Sequence, residues 1–579
     1  MIPPKIWKVY KRDQRKSLLE HLCQIRKIVP EELAMDFTAH LHNPNLLPQM
    51  NKARSVMVEA VKENWPVAIF GDYDADGTPA AALLAGVCQR LGLSYIVYLP
   101  TRQTGYGLGE SFIEPIAKQA KLLITVDTGI TAVESINKLN ELGVNTIILD
   151  HHLPPEGELP PAEAIIDPYL PNSKYPFPHI CGCTLAYKLA VALQEDFPDL
   201  LTEGFLKWQL DLVAISTVAD MMEMRGENRP LVSYGLQVLK KTRRPGLMAL
   251  LRQTGIKIDE LSAGNLGFTI GPRFNAAGRM GDNRPMLDLL LTTDPVRAEE
   301  LALQIEQLNR DRQVLVETIL DDAQKLIWSQ NKHDDFLLVL TNSRRDTSRK
   351  AHGKNTARYN DWPSGVVGLV AGKLAEKYYR PTIVGSQKDG VIRASARSVG
   401  DYPIIDGLTA ASSHLTQFGG HRQAAGLTVQ ADSWEPLAVS LKQHARQHFD
   451  GILPQPALKA DDYLTLENAT LSQAQELATL EPHGLGNARP TFIIRDIELK
   501  DAKPIGETKK HLRLTLTNGL QQLPAIGFSL YDKFKTHQSI RADVAGHLTA
   551  NTWNGNTSVQ FQVTDFREVG GEIGEESIS

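Results

Sequence analysis

Short apolar runs in the first third of the chain lead directly into acidic and histidine residues. The junctions are Val67–Phe70 before Gly71-Asp72-Tyr73-Asp74-Ala75-Asp76-Gly77, Leu122–Val126 before Asp127-Thr128-Gly129, and Thr146–Leu149 before Asp150-His151-His152. Apolar runs of this length, separated by helical stretches, are typical of buried strands in a parallel sheet. Because the carboxyl ends of such strands meet at the edge that binds ligands, we expect these polar residues to converge.

The same alternation continues from Pro66 to about Asp220 and predicts a doubly wound α/β domain. Its predicted strands are Val67–Phe70, Ile96–Leu99, Leu122–Val126, Asn145–Leu149 and Ala164–Ile166. Apolar residues at helical spacing predict helices over Thr78–Leu91 and Thr131–Leu142.

The remaining sequence divides by pattern. Charged residues among regularly spaced apolar ones predict a long connecting helix over Glu299–Ser329. A second α/β region follows, with strands at Phe336–Leu340, Thr382–Gly385 and Val391–Ala394. The predicted organisation is a polar, helical lead-in (1–60), a first α/β domain (61–295), the connecting helix (296–330), a second α/β domain (331–450), a C-terminal barrel (451–567) and a disordered acidic tail (568–579).

Hairpin signals near the C-terminus predict a small β-barrel. His511–Thr517 alternates ahead of an Asn518-Gly519 turn, and Ser558–Asp565 alternates again. Four aromatic residues are candidates for stacking on bases, with burial in the barrel core as the alternative: Phe492, Phe528, Trp553 and Phe561. We expect removal of the chain after about Asp450 to leave the polar site at the strand ends intact.

Composition narrows the class of protein. The 62 basic and 67 acidic residues give a net charge of −5, so nucleic-acid binding requires a local patch. Four cysteines among 579 residues exclude a disulfide framework, and we interpret Cys181 and Cys183 as structural. No apolar run approaches the roughly 18 residues of a membrane span, and the N-terminus lacks a secretory signal. We therefore expect a cytoplasmic protein without membrane association.

A cluster of at least four aspartates with histidines has a clear use only with cations, because unpaired carboxylates repel one another. Asp220, after the apolar stretch Leu212–Ala219, joins this set. Oxygen-rich ligation with few imidazoles favours Mn²⁺ or Mg²⁺ over zinc. A calcium loop starting at Asp72 fails, since its twelfth position is Leu83 rather than Glu. Taken alone, Asp150-His151-His152 fits a helix cap with surface histidines equally well.

Together, the motifs Asp72–Gly77, Asp127–Gly129, Asp150–His152 and Val218–Asp220 resemble those of the DHH phosphoesterase superfamily. Further signatures make the chain similar to the RecJ family of single-strand-specific exonucleases, over roughly residues 50–567. These signatures are Arg102–Gly107, Gly271–Arg279, Ser395–Ser398, Gly419–Gly426 and Glu481–Pro490.

The resemblance implies a DHH domain, a connecting helix, a DHH-associated domain and an OB-fold around a nucleic-acid channel. It implies two divalent cations, Mn²⁺ or Mg²⁺, with the ligands Asp74, Asp76, Asp127, His151 and Asp220. Asp127 would bridge the ions, Asp72 would join or orient the ligands, and His152 would face the scissile phosphate. These seven residues form the expected catalytic set.

The resemblance also implies contacts to nucleic acid or phosphate by Arg102, Tyr106, Arg273, Asn275, Arg279, Ser395, Arg397 and His421. Arg102, Ser395 and Arg397 would hold a terminal 5′-phosphate, with interdomain salt bridges as the alternative for both arginines. Many relatives carry a histidine where this chain has Trp362-Pro363-Ser364-Gly365-Val366. His414 or the basic segment Ser343–Tyr359 would compensate, although a solvated insertion explains that segment equally well.

The expected activity is metal-dependent hydrolysis of single-stranded DNA from the 5′ end to mononucleotides, in DNA repair and recombination. The alternatives are a phosphoesterase for small substrates, which the predicted barrel argues against, and a non-catalytic scaffold, which the complete Asp and His set argues against. A single-strand-binding protein and a helicase are partners implied by the family alone. A monomer is the default.

Overall fold

The computed structural model describes residues 3–13, 15–34, 37–101, 105, 107–342, 362–537, 539–553 and 555–578. Arg102, Tyr106 and the basic segment Ser343–Tyr359 lie outside the described residues, as does the side chain of Trp553. The chain forms two compact units. The larger unit comprises 7–278, 282–306 and 459–579, and the smaller unit comprises 1–6, 279–281 and 307–458.

The two ends of the chain meet in one small sheet. The N-terminal segment contains α1 (Leu18–Arg26) and α2 (Met50–Lys62), preceded by the strand β1 (Ile6–Tyr10), which the prediction of a helical lead-in did not include. β1 pairs in parallel with Ile573–Glu576, which corrects the prediction of a disordered tail. Glu576 helps to hold the C-terminal strand in place, because its carboxylate lies 3.3 Å from Lys8 Nζ and 2.8 Å from Lys459 Nζ.

A parallel sheet carries the predicted junctions. Its five strands, in spatial order β3-β2-β4-β5-β6, are all parallel, which confirms the predicted topology. The elements are β2 (Val67–Gly71), α3 (Gly77–Arg90), β3 (Tyr95–Tyr98), α4 (Ile113–Gln119), β4 (Leu122–Val126), α5 (Val133–Glu141), β5 (Asn145–Leu149) and β6 (Ala164–Ile166). β2 and β4 are buried along their whole length, as their uninterrupted apolar sequence requires.

Helices complete the larger unit. They are α6 (Gly182–Leu193), α7 (Glu203–Trp208), α8 (Leu210–Ala219), α9 (Asn228–Lys240), α10 (Pro245–Thr254), α11 (Ala263–Asn265), a π-helical segment (Leu266–Ile270), α12 (Gly271–Met280) and α13 (Arg284–Leu291). The predicted connecting helix is α14 (Pro295–Ser329), four residues longer at its start than expected. Short 3₁₀ turns occur at Pro30–Ala34, Pro44–Leu46, Glu110–Phe112, Ile258–Glu260, Lys332–Asp334, Ser412–His414 and Ala431–Ser433.

The smaller unit contains a mixed sheet in the order β10-β11-β9-β8-β7. Only β7 and β8 are parallel, and the other pairs are antiparallel. Its elements are β7 (Leu338–Thr341), α15 (Ser364–Tyr378), β8 (Thr382–Lys388), β9 (Val391–Arg397), α16 (Ile404–Ala410), β10 (Gln417–Gly420), β11 (Ala424–Gln430) and α17 (Trp434–His448). Apolar clusters cover the sheet, one of them including the buried Trp362.

The C-terminal part contains the predicted barrel. The barrel comprises β13 (Asp462–Tyr463), α18 (Leu471–Ala478), β14 (Phe492–Ile505), β15 (His511–Thr517), β16 (Gln522–Gly527), α19 (Tyr531–Thr536), β17 (Arg541–Trp553) and β18 (Asn556–Arg567). The strands β12 (Ala457–Ala460) and β19 (Ile573–Glu576) flank β1 in the small sheet instead. Pairing of β14 with β17 closes the barrel. Phe492 and Phe561 are fully buried, so they are not available to stack on bases and the alternative, burial in the barrel core, is confirmed for both. Phe528 is 53% exposed, and its prediction stays open.

The barrel is integrated into the larger unit. The guanidinium of Arg229 on α9 is fully buried, and it donates to the carbonyl oxygens of Leu480 at 2.8 Å and Glu481 at 3.3 Å. Removing the chain after Asp450 would take away these partners and expose a guanidinium that the intact protein buries. The structure therefore argues against the expectation that the chain can be shortened after about Asp450 without disturbing the rest of the larger unit. None of the helices in the described residues is both long and apolar enough to cross a membrane.

Candidate metal centre

The loop after β2 is folded by its own main chain. The Oδ1 atom of Asp74 accepts hydrogen bonds from the backbone N–H groups of Asp76 at 2.8 Å and Gly77 at 3.0 Å. A Cβ atom on Gly77 would lie 2.4 Å from the backbone nitrogen of Asp72, so only glycine fits there. These contacts turn three aspartates of one motif around the start of α3.

Asp127 follows β4 in the left-handed backbone region, with φ of 60°. Aspartate and asparagine enter this region more readily than other side chains. The backbone N–H of Asp127 donates to the carbonyl of Leu149 at 2.9 Å, which extends the β4–β5 ladder to this residue. The left-handed turn therefore holds the Asp127 carboxylate at the end of the strand.

Asp150 is the buried anchor of the third motif. Its carboxylate accepts hydrogen bonds from the backbone N–H groups of Ile130, His151 and His152 at 2.9, 2.8 and 3.1 Å, and contacts His152 Nδ1 at 2.8 Å. Burial alone would raise its pKa, but these hydrogen bonds and the charge of His152 lower it. Burial alone would lower the pKa of the His152 imidazole, but its contact with the Asp150 carboxylate raises that pKa above the ordinary value.

His151 stands at the centre of the carboxylates. Its Nε2 atom lies 3.0 Å from Asp127 Oδ1, 3.7 Å from Asp76 Oδ2 and 3.6 Å from Asp220 Oδ2. Burial lowers the pKa of His151, which favours the neutral imidazole that binds metal ions. The structure therefore brings together side chains that are far apart in the sequence.

The start of α6 supports Asp76. The backbone N–H groups of Gly182 and Cys183 donate to its two carboxylate oxygens at 2.6 and 2.9 Å. Unpaired N–H groups at a helix start favour a carboxylate. A Cβ atom on Gly182 would lie 2.7 Å from the Cβ of Asp127 and 2.9 Å from Asp76 Oδ2. Glycine at this position thus allows the helix to reach both acids.

The cluster concentrates buried carboxylates whose negative charges cations would compensate. Burial, followed by the neighbouring acids, raises the pKa of Asp127 and of Asp220 well above the usual range, and burial also raises that of Asp76. The Oδ2 atom of Asp220 is buried and accepts no hydrogen bond from any of the described residues. Three overlapping sets have ligand atoms within 4.8 Å of one another: Asp127, His151 and His152; Asp76, His151 and Asp220; and Asp72, Asp74 and Asp127. This oxygen-rich donor set suits Mn²⁺ or Mg²⁺.

Helix α12 carries three predicted contact residues with different surroundings. Asn275 Oδ1 accepts a hydrogen bond from the backbone N–H of Ala75 at 3.0 Å, so it supports the first motif. Arg273 Nε instead donates to Glu306 at 2.7 Å in a mostly buried ion pair. Arg279 belongs to the smaller unit, where its Nη1 is 3.4 Å from the Gly365 carbonyl. Only Asn275 is therefore seen to support the acidic cluster directly.

The other predicted contacts also lie in the smaller unit. Ser395 and Arg397 share one face of β9, and the Arg397 guanidinium donates to the Ala396 carbonyl at 2.8 Å. A Cβ atom on Gly368 would lie 3.1 Å from Arg397 Nη2 and 3.3 Å from Ser395 Oγ, so α15 passes closely over both. His421 is exposed in the turn between β10 and β11.

Sequence reasoning missed three residues of the site: Gly182, Asp150 as an anchor, and Asp167. Asp167 follows β6, is fully buried and has an Oδ2 atom without a hydrogen bond. Burial raises its pKa to about 7. The rule that located the other acids, an aspartate directly after a parallel strand, also identifies Asp167. No such rule identifies Gly182, because nothing in its sequence neighbourhood distinguishes it from an ordinary glycine. The cysteines on either side of it, Cys181 and Cys183, are buried thiols, as expected.

Comparison with known proteins gives matches over most of the chain. The family descriptions "DHH family, N-terminal domain", "DHHA1 domain" and "RecJ OB domain" match residues 66–217, 354–447 and 460–565. The single-stranded-DNA-specific exonuclease RecJ of Bacillus subtilis is 33% identical over 539 residues, covering 91% of this chain, which spans 64% of that relative.

The protein of the same name from Haemophilus influenzae is 32% identical over 564 residues, covering 94% of this chain and 95% of the relative. Among solved structures, RecJ in complex with Mn²⁺ from Thermus thermophilus matches with a TM-score of 0.78 at 26% identity, covering 98% of this chain and 80% of that one. With the parallel sheet, the mixed sheet and the closed barrel all matched, the chain belongs to the RecJ family of single-stranded-DNA-specific exonucleases.

Proposed function

We propose that this protein degrades single-stranded DNA in the 5′ to 3′ direction to mononucleotides, using two divalent cations, Mn²⁺ or Mg²⁺. The observation that carries the proposal is the convergence of Asp76, Asp127 and Asp220 on His151 Nε2, all within 3.7 Å. Two cations in such a site activate a water molecule and stabilise the charge that develops during phosphodiester hydrolysis.

The residues that would hold the cations in this proposal are Asp74, Asp76, Asp127, His151 and Asp220, and the Asp127 carboxylate would serve both ions. Asp127 contributes to two of the three overlapping donor sets, which supports that role. Asp72 belongs to the third set and orients the others. The N-terminus of α6 holds Asp76 in place through two backbone hydrogen bonds. Ligands fixed in this way need little rearrangement when the ions bind.

His152 acts on the phosphate. Its Nδ1 contacts the buried Asp150 carboxylate at 2.8 Å, and its side chain is 43% exposed. Because Asp150 raises the pKa of His152, the imidazolium form is favoured and donates a hydrogen bond to a phosphate oxygen. Asp150 is a positioning residue for this contact, since it fixes the orientation of the imidazole.

The barrel supports a polymeric substrate. Lys503 on β14 lies directly opposite Arg513 on β15, and both side chains are exposed. Like charges in a cross-strand pair destabilise a sheet, and a phosphate backbone relieves that repulsion. Phe528 is half-exposed next to His511, with ring centroids 5.4 Å apart, and is a candidate for stacking on a base. This surface would hold a strand longer than a dinucleotide.

Direction requires recognition of a terminus. The residues proposed for this role are Ser395, Arg397 and Arg102, and those proposed for further phosphate contacts are Tyr106, Asn275, Arg279 and His421. Guanidinium groups bind phosphate through two parallel hydrogen bonds. The burial that lowers the Arg397 pKa would strengthen its interaction with an anion. Arg273 is the weakest member of the predicted set, because Glu306 already accepts from its Nε. His414 and Ser343–Tyr359 remain hypotheses for replacing the missing histidine.

The cellular setting follows from the substrate. Single strands with a 5′ end arise during DNA repair and recombination, so the proposed place of action is the cytoplasm, on chromosomal DNA. A helicase that produces single strands and a single-strand-binding protein that covers them are the proposed partners, and the proposed state is a monomer.

The test is an assay on oligonucleotides labelled at the 3′ end or at the 5′ end, with and without Mn²⁺. We expect mononucleotides from single strands only, released first from the 5′ end and only with the metal. Hydrolysis confined to dinucleotides or inorganic pyrophosphate would replace this proposal with a small-substrate phosphoesterase. No hydrolysis of any phosphoester, with Mn²⁺ bound, would indicate a scaffold.

A further inference from the structure

The sequence motif Glu481–Pro490 has no role in the reaction as described above. In the structure it precedes the barrel strand β14 and contacts the loop that follows the metal ligand Asp220. We call residues Gly484–Asn487 the clamp, and residues Met221–Gly226 the Asp220 loop.

Two hydrogen bonds tie the clamp to this loop. The backbone N–H of Met224 donates to the carbonyl of Leu485 at 2.7 Å, and Arg225 Nε donates to the carbonyl of Gly486 at 3.0 Å. The segment just before the clamp is fixed by Arg229, whose Nη1 donates to the carbonyl of Leu480 at 2.8 Å. The contact therefore involves both the loop and the helix that follows it.

Both glycines of the clamp lie close to the side chains of the Asp220 loop. A Cβ atom on Gly484 would lie 3.2 Å from the Cβ of Met224. Gly486 has a φ of +73°, and a Cβ atom there would lie 2.9 Å from Arg225 Nε. The clamp is also fixed to the residues just before it, since Asn487 Nδ2 donates to the carbonyls of Leu480 at 2.8 Å and Pro482 at 2.9 Å.

The loop that the clamp holds begins at a metal ligand. Asp220 ends α8, with its N–H donating to the Ser216 carbonyl at 2.9 Å, and only three residues separate it from Met224. The loop cannot absorb much movement over so few residues. A displacement at Met224 or Arg225 would therefore reach the backbone of Asp220, whose Oδ2 lies 3.6 Å from His151 Nε2.

We propose that the clamp is a positioning element for Asp220, and that the barrel thereby sets the affinity of the catalytic centre for its divalent cation. The proposal rests on the assignment of Asp220 as a metal ligand in the proposed function. Gly486 and Arg225 act through Asp220 and touch neither the substrate nor the ion. The barrel in this view supports the centre as well as binding DNA.

The test compares the full-length variants Gly486→Ala and Arg225→Met with two matched controls. Gly255→Ala introduces a side chain at a similar φ of +69° with nothing within 4 Å. Arg252→Met removes an exposed arginine paired with Glu299 in the same unit. Binding of Mn²⁺ to each DNA-free protein is followed by the electron paramagnetic resonance signal of the free ion, and the melting temperature is measured alongside.

We expect the dissociation constant of one Mn²⁺ ion to rise about tenfold in Gly486→Ala and Arg225→Met, the range typical of groups that orient metal ligands. Gly255→Ala should lower the melting temperature to a similar extent as Gly486→Ala and leave Mn²⁺ binding unchanged. On a 5′-phosphorylated tetranucleotide, saturating Mn²⁺ should restore most of the kcat of Gly486→Ala.

Unchanged Mn²⁺ binding in both clamp variants would overturn the proposal, and so would an equal loss in Gly255→Ala. A higher KM for long strands with normal Mn²⁺ binding would also overturn it, since the clamp would then only orient the barrel. Because Mn²⁺ binding is measured without DNA, failure of the proposed exonuclease activity can be distinguished from failure of the proposal for the clamp. If the wild-type protein binds Mn²⁺ but cuts no single strands, the proposed exonuclease activity is wrong and the proposal for the clamp still stands.

Discussion

The two five-stranded sheets of this protein gather functional residues in different ways. In the parallel sheet all carboxyl ends lie at one edge, so Asp127 and Asp150 become neighbours because each directly follows a strand. In the mixed sheet, Ser395 and Arg397 lie within an antiparallel strand, and His421 lies in a turn. Position in the sequence therefore reveals the first site, whereas the second needs the resemblance to relatives.

The two regions also differ in the sign of the buried charge that the described residues carry. Burial and mutual repulsion raise the pKa of Asp127 and Asp220 in the larger unit. In the smaller unit, burial lowers the pKa of Arg397, whose Nη1 donates to a main-chain carbonyl rather than to a carboxylate. The first arrangement fits cations and the second fits an anion. This contrast can be tested one side at a time.

The largest effect is expected from Asp127→Asn. Asparagine tolerates the φ of 60° at this position, so the backbone should stay as it is. Loss of the shared carboxylate should lower kcat/KM on single-stranded DNA by about 10³-fold or more, about 4 kcal/mol of transition-state stabilisation. The metal-free variant should meanwhile have a higher free energy of unfolding, because a buried repulsive charge is gone.

Kinetics with Mn²⁺ and urea unfolding of the metal-free protein check both parts of this prediction. Asp199→Asn, which changes an exposed carboxylate, is the control and should alter neither quantity. Near wild-type cleavage by Asp127→Asn would show that the acidic cluster is not the catalytic centre.

Gly182→Ala should have the next largest effect. The added methyl group would lie 2.7 Å from Asp127 Cβ and 2.9 Å from Asp76 Oδ2, so α6 and the two acids must separate. We expect about a 100-fold loss of kcat/KM with weaker Mn²⁺ binding, as for other disturbed ligand supports. Gly204→Ala, near the start of α7 with its nearest neighbour at 3.9 Å, is the matched control. Equal behaviour of the two variants would contradict the role given to Gly182.

Arg397→Ala tests the anionic side of the comparison. The ratio of cleavage rates for 5′-phosphorylated over 5′-hydroxyl single strands should fall by about tenfold, since a charge-assisted contact worth about 1.5 kcal/mol is lost. Cleavage of 5′-hydroxyl strands should change much less. Arg393→Ala removes an exposed arginine two positions before Ser395 on the same strand and should leave the ratio unchanged. A phosphate preference that survives in folded Arg397→Ala would exclude this arginine from terminus recognition.

The smallest effect concerns Asp167→Asn and is on stability. The pKa of Asp167 is about 7 in the folded protein against an ordinary 3.8, so the folded state binds a proton more tightly than the unfolded chain. Its contribution to stability is therefore present below about pH 4 and is lost as the pH rises to about 7. Asparagine carries no ionisable group, and the variant should be more stable by about 1–3 kcal/mol at pH 8.

Urea unfolding of metal-free protein at pH 5 and pH 8 measures this effect, with Asp199→Asn as the exposed control. A gain of stability that is larger at pH 5 than at pH 8 would contradict it. Confirmation would show that the acidic edge of the parallel sheet extends beyond the metal ligands.

Much of the fold was predictable because local patterns determine it. Buried parallel strands need continuous apolar sequence, and β4, β5 and β6 begin and end where that sequence does. The order of the strands and the convergence of Asp127 with His151 then follow from the geometry of a parallel sheet.

What the sequence does not show is packing between distant segments. Nothing local in Cys181-Gly182-Cys183 indicates that an acid 106 residues earlier lies against its backbone. Phe492 and Phe561 were indistinguishable in sequence from exposed stacking residues, and only the closed barrel shows that they are core. The strand at Ile573–Glu576 was missed because its composition is acidic and glycine-rich, and its pairing depends on a partner at the other end of the chain.

That pairing has a consequence for biosynthesis. The Trp7 side chain, 1% exposed, donates to Asp565 over a separation of 558 residues, and the Arg567 guanidinium lies 4.5 Å above its ring. The ribosome releases Trp7 long before either of these partners has been translated. The indole of Trp7 therefore lacks these two partners until almost the entire polypeptide has been synthesised. A nascent chain stalled before residue 565 would expose this tryptophan to chaperones.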